Sequence, residues 1–201
     1  MIVYRLLKNS TKLRLFYAIN QRMYRQPLLS LLRQHHPADE NEQVMTEATI
    51  RFVQAHPDCF ERSLLIGHVT GSAWIVSPDR QQVLLIHHRK LNRWLQPGGH
   101  ADGDPDVAGV ALREAQEETG LTSLALVSDA IFDIDVHEIP QRNEVPAHLH
   151  YDIRFLLEAD PSEAFGDSEE ITNIQWFTLN NAESVIDYES ILRMVRKKPK
   201  N

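Results

Sequence analysis

The sequence predicts an α/β fold. Two short runs lie early, Val69–Val76, rich in β-branched and small residues, and Gln82–His88, mostly apolar, with the turn residues Pro78-Asp79-Arg80-Gln81 between them. A helical stretch closed by glycine follows at Asp104–Thr119. Three more strand-like runs and a terminal helix complete the chain, and this interleaving of strands and helices defines the class.

Taken in order, residues 1–60 form a helical N-terminal extension and residues 61–201 the main domain. Pro27-Leu28-Leu29-Ser30-Leu31-Leu32 opens a short helix that must stop before Pro37. Asp39 caps a second helix, in which Val44, Ala48 and Phe52 recur every four residues, and Pro57 ends it. Strand character begins at His68. Asp104 is placed as N-cap of the long helix and Pro105 at its first position, with Gly120 closing it in a left-handed conformation. Later strands span Ser123–His137, His148–Leu157 and Asn173–Leu179, and Pro140 and Pro146 bracket the loop between the first two. Asn181 caps a last helix ending in Arg196-Lys197-Lys198. No internal repeat or low-complexity tract interrupts this order.

Net charge is −7, yet residues 1–38 carry seven Lys or Arg and no Asp or Glu. The remainder is acidic, which argues against duplex nucleic acid as a partner, because affinity for it comes mainly from neutralising phosphates. The basic start predicts an amphipathic helix packed on the domain or on a second subunit, so a homodimer is one expectation. Cys59 is the sole cysteine, so no internal disulfide forms, and a partly buried thiol is expected. No apolar run is long enough for a transmembrane helix. No membrane partner and a cytoplasmic location are the corresponding expectations.

The densest chemistry lies in Arg113-Glu114-Ala115-Gln116-Glu117-Glu118-Thr119-Gly120-Leu121. On a helix Glu114, Glu117 and Glu118 stand at i, i+3 and i+4, so they share one face, and Arg113 reaches Glu117 at i+4. Three carboxylates crowded together repel one another. The arrangement suits open water or a hard divalent cation such as Mg²⁺ or Mn²⁺. Just upstream, Pro97-Gly98-Gly99-His100 makes a sharp turn with exposed backbone.

Together these segments resemble the Nudix box, G-x5-E-x7-R-E-U-x-E-E-x-G-U, with U bulky and apolar. Gly99, Arg113, Glu114, Glu117, Glu118, Gly120 and Leu121 match; Pro105 stands where the first glutamate falls, and Ala115 at the first U. Asp104 and Asp106 flank the substituted position. Trp94-Leu95-Gln96-Pro97-Gly98-Gly99 and Ile174-Gln175-Trp176-Phe177 extend the resemblance to about His68–Val195. It implies an α/β/α sandwich with a mixed β-sheet and a divalent-metal-dependent pyrophosphohydrolase. Its substrate would be a small nucleotide-type diphosphate. It also implies a metal held by the Gly99 carbonyl, Glu114 and Glu118, with Glu117 joining directly or through water and Arg113 orienting Glu117. Families of this type take a further acid from a loop, for which Glu169 and Glu170 are the candidates; a solvated acidic loop is the alternative.

His148, His150 and Asp152 alternate along a strand and therefore face one way, with Leu149, Tyr151 and Ile153 opposite. His100 adjoins the glycine turn. These residues and Trp94 are candidate substrate contacts, and phosphate binding, proton transfer and an auxiliary metal are all open for the histidines. His87, His88, Arg89 and Lys90 either end a strand or meet substrate phosphate. Two other functions share the fold: an isopentenyl diphosphate isomerase-like enzyme, which needs a reactive cysteine, and a non-catalytic nucleotide-binding module, which usually lacks the box glutamates.

Overall fold

The strand-patterned runs pair into a single seven-stranded sheet in a computed structural model, which describes residues 11–197, with side chains from residue 23 onward. In chain order the elements are α1 (Thr11–Gln34), α2 (Glu40–Ala55), β1 (Gly67–Val76), β2 (Gln82–His88), β3 (Arg93–Leu95), β4 (Gly98–His100), α3 (Val107–Thr119), β5 (Ala125–Ile139), β6 (His148–Glu158), β7 (Ile171–Thr178), α4 (Leu179–Val185) and α5 (Glu189–Arg196). The strand order is β3-β2-β1-β6-β5, with β4 added to β1 and β7 to β2. Among the described strands only β1 and β6 run parallel, so the sheet is mixed. Among the described residues no helix is long and apolar enough to cross a membrane.

Several boundaries differ from expectation for local reasons. Helix α1 runs through Pro27 instead of starting there. Proline lacks the N–H that would donate one turn back, and burial of Leu28, Leu29 and Leu32 against the domain core offsets that loss. In α2, Asp39 caps as predicted, accepting from the Glu42 N–H at 2.7 Å. Val44, however, is exposed, and the buried stripe is Glu42, Thr46, Thr49, Phe52 and Val53. Helix α3 is capped by Asp106, which accepts from the Gly109 N–H, while Asp104 accepts from the Asp106 N–H in the preceding turn. Gly120 closes α3 at φ 72°. At the C-terminal end Thr178, not Asn181, is the cap, and the predicted last helix is two, α4 and α5. Lys198 and residues 1–10 lie outside the described residues.

Alternation along β1 and β6 divides the sheet into two unlike faces. Val69, Ala73, Ile153 and Phe155 join Val110, Ala111 and Ala115 of α3 in the larger core, which also takes Leu28 of α1 and Phe52 of α2. The opposite face is layered along the strands. Cross-strand partners give a row His68–His150–His137, then Thr70–Asp152–Asp135, then Ser72–Arg154–Asp133. Beyond these, Trp74, Val76 and Leu156 pack on Ile191, Met194 and Val195 of α5.

The charged layer is buried and fully linked. Arg154 donates to Asp152 at 2.8 Å, Asp133 at 3.1 Å and Asp135 at 3.2 Å. Asp133 also accepts from Arg193 at 2.8 Å and from Lys197 at 2.6 Å. Lys197 in turn meets Glu42, which pairs with His35 at 2.9 Å and accepts from the Ala38 and Ile134 N–H groups. Burial alone would raise the Glu42 pKa, but hydrogen bonds from His35, Ala38 and Lys197 outweigh it and hold the carboxyl down at about 2.

Candidate active site

The glycine turn forms because β4 pairs with the first half of β1, setting Gly99 opposite Gly71 and Gly98 opposite Ser72. Both glycines are sterically required: a Cβ on Gly98 would strike Ser72, and one on Gly99 would strike the Glu114 carboxylate. Helix α3 lies close against β1, since a Cβ on Gly71 would meet the Val107 carbonyl at 2.8 Å. The glutamate face is thereby delivered to the turn. The Gly98 N–H donates to Glu118 Oε2 at 2.9 Å.

Glu114, Glu117 and Glu118 line a cleft of ≈ 740 Å³ together with Gly98, Gly99, His100, His150 and Asp152. Burial, with Glu114 and Glu170 nearby, pushes the Glu118 pKa up to about 7 against the Gly98 hydrogen bond. Burial and then Glu117 also raise Glu114. Carboxylates brought together in a partly dry cleft are suited to neutralisation by a cation. The close fit of Gly99 on Glu114 places the glycine backbone beside those oxygens. Hard oxygen donors of this kind fit Mg²⁺ or Mn²⁺. Arg113 lies 3.4 Å from Glu114, 3.6 Å from Asp104 and 3.9 Å from Glu117, so it bridges three carboxylates instead of serving Glu117 alone.

The loop acids separate. Glu170 reaches the cleft and pairs with Lys90 at 3.4 Å, whereas Glu169 is not among the cleft-lining residues and is fixed only through its carbonyl, which accepts from Arg89. Of the basic run, His88 and Lys90 line the cleft, while His87 turns to Thr172. Trp94 is not among the cleft-lining residues. It packs edge-on against Phe177, with ring centroids 4.9 Å apart, because its strand β3 sits at the sheet edge over the smaller core.

Asp152 faces the cleft but is buried and fully engaged. It accepts from Thr70 at 2.9 Å, Ser72 at 2.7 Å and Arg154 at 2.8 Å, with Gln96 Nε2 at 3.4 Å. The histidines gather beside it. His68, His100 and His150 have ring centroids 4.9 to 5.0 Å apart, and His148 lies 5.0 Å from His68. Burial first, then the neighbouring imidazoles, lowers the pKa of His68 to about 4 and of His150 to about 2. His100 is lowered also, by burial and then Arg62. His68 was not singled out from the sequence. The signal was present in the polar alternation His68, Thr70, Ser72, which matches His148, His150, Asp152 in period.

Cys59 is wholly buried rather than partly so, and burial pushes its thiol up to about 12. Such a group is protonated and inaccessible, unlike the reactive thiol an isomerase-like chemistry needs.

Comparison with known proteins agrees with this architecture. A model of the NUDIX domain matches residues 68–195. A "Probable DHNTP pyrophosphohydrolase" of Lactococcus lactis subsp. cremoris (strain MG1363) is 28% identical over 128 residues, covering 62% of this chain and 71% of that protein. Among solved structures, a C. elegans Ap4A hydrolase binary complex superposes with a TM-score of 0.51 at 20% identity, covering 64% of this chain and 92% of that one. The E. coli dihydroneopterin triphosphate pyrophosphohydrolase gives 0.48 at 16% identity, over 63% and 91%. With its glutamate helix, its glycine turn and a matched segment spanning most of its length, the chain belongs to the Nudix hydrolase family.

Proposed function

We propose that the protein is a divalent-metal-dependent pyrophosphohydrolase that cleaves a diphosphate linkage in a nucleoside diphosphate derivative. The observation that carries this is the convergence of Glu114 and Glu118 on the Gly98-Gly99 turn, inside a cleft that also presents Arg62 and Lys90. Glu114, Glu118 and the Gly99 carbonyl would hold Mg²⁺ or Mn²⁺, with Glu117 contributing directly or through water. When bound, such a cation neutralises phosphate oxygens and activates water. The chain's own groups do the rest. Gly98 fixes the rotamer of Glu118, Arg113 holds Glu114 and Glu117 apart from each other's charge, and Lys90, paired with Glu170, and Arg62, paired with Asp102, are the cations at the cleft wall that an anionic substrate would meet. Glu170, at the cleft wall, is the better placed of the two loop acids to accept a proton.

Retention of all three box glutamates supports turnover over a purely binding role. A second reading, a pterin triphosphate as substrate, is favoured by the name of the Lactococcus relative. The test is a panel of nucleoside diphosphate derivatives, dinucleoside polyphosphates, nucleoside triphosphates and dihydroneopterin triphosphate, assayed with Mg²⁺ or Mn²⁺. Turnover that vanishes with chelator is expected. Absence of turnover on every diphosphate-containing compound would overturn the proposal.

A further inference from the structure

The glutamate face offers only oxygen donors, but the same sheet carries a second set of ligating groups of another kind. His68 of β1 is the direct cross-strand partner of His150 of β6, and His148 lies two residues before His150 on the same face. Each of the three can offer one ring nitrogen such that all three atoms lie within 4.8 Å of one another. His68 is 3% exposed, and neither of its ring nitrogens makes a hydrogen bond of normal geometry, although the Leu64 carbonyl lies near enough to exert a weak pull. The buried Nε2 of His150 is likewise without a partner. Buried polar atoms left unpaired are costly and rare, so several in one cluster call for something that pairs them.

The tautomer of His148 points the same way. Its Nδ1 lies 2.9 Å from the Pro146 carbonyl, which can only accept, so Nδ1 donates there and Nε2 is the ring nitrogen left for a ligand. A hydrogen bond from one ring nitrogen to a backbone carbonyl is the usual outer support of a metal-binding histidine. His100 stands a further 5.0 Å from both His68 and His150, ring to ring. Beside the cluster a second cavity of ≈ 560 Å³ opens, lined by His100, His148 and His150.

We propose that His68, His148 and His150 bind a borderline transition-metal cation of the Zn²⁺ class, at a site separate from the glutamate face and open to the adjoining cavities. Imidazole is the donor such ions favour over Mg²⁺, and three protein ligands leave a fourth position for solvent or a ligand. Tetrahedral nitrogens about 2.0–2.1 Å from the ion sit about 3.4 Å apart. Side-chain rotation closing the widest separation by up to about 1.4 Å therefore completes the site. The proposal does not rest on the hydrolase reading, because its ligands are distinct from the box residues.

The test uses tag-free, full-length protein stripped with chelator and titrated with Co²⁺, then with Zn²⁺ in competition. With excess Mg²⁺ present to fill the glutamate face, one equivalent of Co²⁺ should bind with the visible bands of a low-coordinate nitrogen site and no thiolate charge-transfer band. Zn²⁺ should displace it, and excess Mg²⁺ should not. His150→Asn and His148→Gln should each weaken binding roughly 100-fold, whereas Glu118→Gln should leave it within about twofold. Binding that Mg²⁺ displaces, that disappears in Glu118→Gln, or that is unchanged in the histidine variants would overturn the assignment, as would absence of binding. Should His150→Asn fail to fold, His148→Gln, at the start of β6, decides the matter alone.

Discussion

Glu42 Oε1 and Lys197 Nζ lie 2.6 Å apart, joining α2 to the residue that follows α5. Helix α2 and the segment from α5 to Lys197 are thus fastened to the same buried charged cluster around Asp133.

Glu42→Gln should therefore destabilise the fold markedly. The folded pKa of about 2 against an ordinary 4.5 corresponds to about 3 kcal/mol of stability when fully expressed. Because the folded value is depressed, this contribution is complete above pH 4.5 and disappears as pH falls towards 2. Melting temperatures of wild type and variant should differ most near neutral pH and converge in acid. Parallel curves at all pH values would contradict the assigned role.

Glu118→Gln should preserve the melting temperature while lowering kcat by roughly a thousandfold or more, since a charged oxygen would be lost beside the reacting phosphate. The measurement is turnover of whichever diphosphate compound proves active, at saturating metal. Near-normal turnover would remove the box from the mechanism.

Gly99→Ala tests the turn separately from the acids. The added methyl must displace the Glu114 carboxylate while leaving every charged group in place. Activity should fall at least tenfold, by about 1.4 kcal/mol or more in transition-state stabilisation, with apparent metal affinity reduced in parallel. Unaltered metal dependence would show that Glu114 is free to move aside.

Residues 68–195, excised alone, should aggregate or melt far below the full chain. The excision removes Leu28, Leu32, Phe52 and Val53 from the main core and strands Asp133 without Lys197. Light scattering and thermal melting of the fragment beside the full chain are the checks. A stable, monodisperse fragment would mean that α1 and α2 are accessory.

The shared face of Glu114, Glu117 and Glu118 was legible because helical spacing is local and the closing glycine is unambiguous. The common face of His148, His150 and Asp152 was legible for the same reason in a strand. Helix caps were less so: Asp104 and Asp106 offer equal chemistry, and only the packing of Val107 on β1 selects the second. Glu42 reads as a solvated helix residue until Ile134 and Lys197, 92 and 155 positions away, are brought to it. His68 escaped notice because its partners arrive through the parallel pairing of β1 with β6, a connection that no local pattern announces.

That pairing has a consequence for assembly of the protein. Thr70 and Asp152 must find each other across 82 residues, the kind of distant, slow encounter in which mispairing is a hazard. A slip of one residue would turn Asp152 and Arg154 inward beneath α3 and carry Ile153 and Phe155 to the opposite face. A slip of two would set Arg154 against Trp74 or Thr70 and Asp152 against Ser72 or His68. The graded succession of imidazole, charge and hydrocarbon along these strands therefore acts as a proofreading code, in which each wrong alignment is penalised chemically before the last helix can seal it.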